Sequence, residues 1–80
     1  MPYARYGKVF KKLRTQKHLP LSFFESYGLQ KSAIHNFENG KSMMGFERLD
    51  IALQAMNVSL AEYEYFINDF QLNYMEEMLE

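Results

Sequence analysis

The chain has no cysteine, only two histidines and no long apolar run, and each shortage removes a class of protein. Without cysteine no disulfide braces the fold, and a reducing, cytoplasmic setting is expected. His18 and His35, lacking a thiol partner, do not make a structural zinc site. His35-x-x-Glu38 has ligand spacing on a helix, but two ligands without a third predict no metal, and no motif asks for a cofactor. No stretch approaches the ~20 apolar residues of a membrane span. MPYARYGKVFKKLR at the N-terminus is basic with no apolar run behind it, so no signal peptide is expected. Linkers, repeats and low-complexity segments are also missing. Eighty residues then make one small domain, of a size that buries only about 60% of its unfolded surface.

The charge that is present is unevenly placed. Residues 1–41 hold eight basic side chains against Glu25 and Glu38, a balance of +6. Residues 42–80 hold only Arg48 against eight acids, a balance of −7. A basic half beside an acidic half suggests one end that faces a polyanion and one that faces something else, with two ordinary solvated surfaces as the alternative.

Apolar spacing predicts five helices and no strand. Tyr6, Val9, Phe10 and Leu13, with lysines and arginines between them, predict a first helix over about Tyr3 to Gln16, ended by His18-Leu19-Pro20. His18 is expected to be an ordinary loop residue. A short second helix follows Pro20, from about Leu21 to Tyr27, with Gly28 as its left-handed stop and Leu29 turned inward. The third begins at Gln30 or Lys31, turns Ile34 and Phe37 inward and stops at Asn39-Gly40. Gly45 is the N-cap expected for a fourth, whose inward set is Phe46, Leu49, Ala52, Leu53 and Met56 and which Asn57 ends. Ser59-Leu60-Ala61-Glu62 reads as a capping box opening a fifth helix, with Tyr63, Phe66, Ile67, Phe70 and Tyr74 along one side. Met43, Met44 and Met56 are expected to fill the core. The division expected is a domain over 1–62 and a C-terminal helix over 63–80.

KSAIHNFENGKS, Lys31 to Ser42, ends in Gly40-Lys41-Ser42 and so resembles the tail of a phosphate-binding loop. That loop needs another glycine five residues before Gly40, and His35 stands there. The helical reading remains: two short helices meet at a tight turn containing Gly28, and the second opens on a polar cluster. In such a helix-turn-helix the second helix lies in the DNA major groove. Its outward residues here are Lys31, Ser32, Ala33, Asn36 and His35, short, polar or basic as a groove-reading surface requires.

The runs GKVFKKLRTQK, SAIHNFENGKS and LDIALQAMNVSLAEY resemble the N-terminal DNA-binding domain of the Rgg/GadR/MutR regulators, within the Cro/repressor (XRE) helix-turn-helix group. The resemblance covers roughly Gly7 to Tyr63 and is most specific at Ser32-x-Ile34-x-x-Phe37-Glu38-x-Gly40. It implies an all-α, five-helix lambda-repressor-like domain with an extended C-terminal helix. It also implies an ion pair between Arg14, late in the first helix, and Glu38, at the end of the third. The family usually ends the third helix with Ser-Arg-Phe-Glu-Arg-Gly, whereas here both arginines are asparagine, Asn36 and Asn39. Two cationic contacts are therefore lost, although Asn36 retains the amide that pairs bidentately with adenine. Phe23-Phe24-Glu25 stands where a small alanine is common, which leaves the angle between the second and third helices open.

The function expected is sequence-specific binding of double-stranded DNA by a bacterial transcription regulator. Lys31, Ser32, Ala33, His35 and Asn36 would meet the groove, and Lys8, Lys11, Lys12, Lys17 and Lys41 are candidates for phosphate contact. A homodimer on two half-sites is expected, joined through Phe66, Phe70, Tyr74, Met75 and Met78, whose apolar stripe has nothing in the domain to cover it. Similar regulators carry a C-terminal peptide-sensing domain. The fifth helix meets no stop signal before Glu80, so a fragment of such a regulator is expected, with no peptide binding of its own. No Ser–His–acid set or carboxylate pair is suggested, and no enzymatic activity is expected. The alternative is a protein-interaction or oligomerisation module that keeps the helix-turn-helix fold without binding DNA.

Overall fold

The computed structural model describes the backbone of residues 4–79 and the side chains of residues 4–69. Five helical segments follow one another: α1 (Ala4–Gln16), a 3-10 segment η1 (Leu21–Tyr27), α2 (Lys31–Glu38), α3 (Phe46–Ala55) and α4 (Leu60–Leu79). There is no strand among the described residues, and the domain is all-α. The second segment is a 3-10 helix rather than an α-helix. Its seven residues are pinned between Pro20, whose φ is −75°, and Gly28, whose φ is +82°. A run of this length exceeds the roughly four residues at which the tighter winding commonly stops, and both of its ends are held.

The first four segments end in the same way. A residue of positive φ follows each helix: His18 at 58°, Gly28 at 82°, Gly40 at 73° and Asn57 at 64°. Around each, two backbone amides reach back to carbonyls of the last turn, as Leu19 does to Arg14 and His18 to Thr15, or Lys41 to Asn36 and Gly40 to Phe37. This paired closure satisfies carbonyls that a bare helix end would leave open. His18 is thus the stop of α1 rather than an ordinary loop residue. At its N-terminus α4 carries the expected capping box: the Glu62 amide donates to Ser59 Oγ at 3.1 Å and the Ser59 amide to Glu62 Oε1 at 3.2 Å.

Packing centres on Phe10 of α1, which is wholly buried. Its ring meets Phe24 of η1 and Phe37 of α2, each 5.6 Å away between centroids and inclined or edge-on. Ile34, Leu49, Ala52, Leu53, Met56, Val58, Tyr63 and Ile67 complete the interior. Gly7 is what lets α1 lie so close to α2: a Cβ on it would stand 1.9 Å from the carbonyl oxygen of Phe37. Tyr63 joins α4 to α1 by donating its hydroxyl to the Tyr6 carbonyl, and burial raises its pKa well above the ordinary tyrosine value. Two expected core residues lie outside. Phe46 is 70% exposed and Met43 47% exposed. Phe46 is the first residue of α3, on the rim beyond the first turn that faces the interior, and Met43 precedes the helix while Met44 takes the buried place.

Candidate nucleic-acid interface

α2 follows η1 across Gly28-Leu29-Gln30, with Leu29 buried as the anchor of the turn. The eight residues of α2 divide cleanly by side. Ile34, Phe37 and Glu38 are buried, Lys31, Ser32 and His35 are exposed, and Ala33 and Asn36 are half-buried at the margin. The five residues expected to meet DNA therefore share the outward or marginal surface of one short helix.

What fixes α2 is Arg14. Its Nε donates to Glu38 Oε2 at 2.7 Å and its Nη2 to Glu38 Oε1 at 2.9 Å, the two-point geometry of a guanidinium–carboxylate pair. Its Nη1 donates to the Leu19 carbonyl at 2.8 Å. One side chain thus ties the end of α1, the chain entering η1 and the end of α2. The hydrogen bonds that Arg14 donates to Glu38 raise its pKa against the opposing effect of burial, so the guanidinium stays charged. The expected pair is in place.

The lysines are distributed unequally around α2. Lys8 and Lys11 line a cleft of about 240 Å³ with Asn39 and Gly40, beside the C-terminal end of α2. Lys41 closes that same end through its backbone amide. Asn39 also belongs there, its side-chain amide donating to the His35 carbonyl at 2.8 Å. Lys12 and Lys17 are exposed, but no hydrogen bond or ion pair joins their side chains to α2 among the described residues. Lys31 lies at the opposite end with its ammonium 4.0 Å from the Glu25 carboxylate, both exposed.

Two participants escaped the reading of the sequence. Glu25 stands out in the sequence only within Phe23-Phe24-Glu25, yet it sits against the first lysine of α2. Arg48, read only as the one cation of an acidic half, lines a cleft of about 120 Å³ with Gly28, Gln30 and Ala33. No local signal gives either one, since both depend on how η1 and α3 fold against the turn.

Of the residues expected to join two copies, Phe66 is partly exposed and in edge contact with the more exposed Tyr65, 5.9 Å between ring centroids. Phe70, Tyr74, Met75 and Met78 lie outside the residues whose side chains are described. Among the described residues no three His, Cys, Asp or Glu side chains converge as a metal site. No helix among them is long and apolar enough to cross a membrane. Compared with models of protein families, with curated proteins and with solved structures, the chain matches none.

Proposed function

We propose that this chain is the sequence-specific DNA-binding domain of a cytoplasmic transcription regulator of the Rgg/GadR/MutR type, with α2 in the major groove. One observation carries the reading. A short helix presents lysine, serine and histidine outward and asparagine at the margin while its other side is sunk in the core and clamped through Glu38 to Arg14. Groove-reading needs that combination, because base-edge hydrogen bonds demand a polar surface held in fixed register. Lys8, Lys11 and Lys41 supply phosphate contacts beside it, and a homodimer would place two copies of α2 about 34 Å apart.

The test is selection of bound fragments from a random duplex pool, followed by salt titration on the winner. Affinity is expected to fall steeply as salt rises. Asn36→Ala should cost roughly 1–3 kcal/mol at one base position and relax selectivity there. Failure of the unaltered domain to retain any duplex at low salt rejects the proposal.

A second reading has its own support. Tyr27, Met43, Phe46 and Tyr65 are large apolar side chains left exposed, and both family arginines of the third helix are absent. A protein-interaction module without DNA binding would account for both. Apolar association strengthens or persists as salt rises, so the same titration separates the readings.

A further inference from the structure

We infer that Arg48 is a phosphodiester clamp beside the first turn of α2, so that the acidic half of the chain contributes a cation to the DNA-binding face. The inference rests on the DNA-binding reading and adds a residue to it. Arg48 belongs to α3, but folding sets it across a narrow cleft from Gly28, Gln30 and Ala33. Those residues form the turn and the opening of α2. No acid lines this cleft; Arg48 also borders the adjoining one, which Glu47 lines with Tyr27 and Phe46, yet no ion pair joins Glu47 to Arg48 among the described residues. Arg48 is exposed, and it has no ion pair or hydrogen bond among the described residues. Arg14 has a dedicated carboxylate; Arg48 has none among the described residues. Gly28 keeps the approach open, since even a Cβ there would meet nothing within 4 Å.

The chemistry selects the ligand. A guanidinium presents several N–H donors in one plane and matches the paired oxygens of a phosphate. The Gln30 side chain adds an amide donor on the facing wall, and Lys31 follows it in the chain. With Lys8 and Lys11 beside the other end of α2, cations flank both ends of a helix about 12 Å long. A backbone contact at Arg48 would set the depth and tilt of α2 without reading sequence.

The experiment compares the unaltered domain with Arg48→Gln and Arg48→Lys on a mixed-sequence DNA duplex about two turns long. Arg48→Gln should weaken binding roughly three- to tenfold at low salt and lower the log–log salt slope by about one. Arg48→Lys should keep the slope. On a selected operator the loss should be the same factor as on the mixed duplex. In the unaltered protein, DNA should also protect Arg48 from an arginine-specific dicarbonyl reagent, a readout that needs no variant to fold. If Arg48→Gln binds like the parent, or DNA gives no protection, the clamp is wrong while DNA binding stands. Loss confined to one base position overturns it too, because the arginine would then be reading a base. Absence of binding by the parent instead removes the reading beneath it.

Discussion

At the scale of single residues, the Arg14–Glu38 pair shows how orientation and stability part company. Both side chains are largely withdrawn from water, with 11% and 2% of their surfaces exposed. Desolvating two charges offsets much of their attraction, so the intact pair adds little net stability compared with a well-packed apolar pair. Removing one partner is different, since the other is then stranded. Glu38→Ala leaves the Arg14 guanidinium with only the Leu19 carbonyl, and Arg14→Ala leaves a buried carboxylate with nothing. Each single variant should lose about 3–5 kcal/mol of unfolding free energy. The double variant Arg14→Met with Glu38→Leu should lose much less than the sum, because it strands no charge. Urea melts of the three proteins check this. Additive losses would mean that the two side chains act independently. DNA affinity provides the complementary measure: a refolded double variant that binds duplex more weakly would locate the pair's main contribution in holding α2.

At the scale of helices, what the sequence made legible were local signals and periods. The capping box at Ser59, the glycine stops at Gly28 and Gly40 and the inward set Ile34, Phe37, Leu49 and Leu53 each follow from residues within one turn of each other, and each is in place. What escaped depended on a partner segment. The left-handed stop at His18 uses a residue type that tolerates positive φ less readily than glycine, so the plainer breaker in that stretch of sequence is Pro20. Phe46 fits the period of α3, yet no neighbour covers that end of the helix, and period alone does not reveal this. Arg48 belongs to an acidic stretch in sequence, yet in space it lines a cleft with Gly28 and Gln30 of the turn before α2. Gly7 is the clearest such case, because its role lies wholly in the approach of α1 to α2. Gly7→Ala raises local helix propensity but drives a methyl group into the Phe37 carbonyl. Backbone cannot rotate away as a side chain does, so the crossing must open. A loss of about 1–3 kcal/mol is expected in thermal or urea unfolding. A gain in stability would show that α1 and α2 have slack where they are in contact.

At the scale of the whole molecule, charge and apolar surface are unevenly distributed. The basic first half carries α2 and the lysines beside it, while α4 carries Glu62, Glu64 and Asp69 together with exposed Tyr65 and Phe66. α4 spans twenty residues, about 30 Å, and Tyr63 and Ile67 are the buried side chains of its described part. On the proposed reading, an acidic rod would be repelled by phosphate, so α4 would lie off the duplex while α2 meets it. If two copies meet along α4, their carboxylates repel and the aromatic pairs attract. Added salt screens the first and leaves the second. Self-association should therefore strengthen between low and moderate salt, over the range in which DNA affinity falls. Phe66→Ser should lower the dimer fraction in sedimentation velocity at every salt concentration. It should leave the affinity of one protomer for a single half-site unchanged, because Phe66 lies on α4 rather than on α2. Its cost to a palindromic site should then equal the lost coupling between half-sites. A parent that stays monomeric at all salt concentrations, yet fills both half-sites without coupling, would show that α4 serves a different partner.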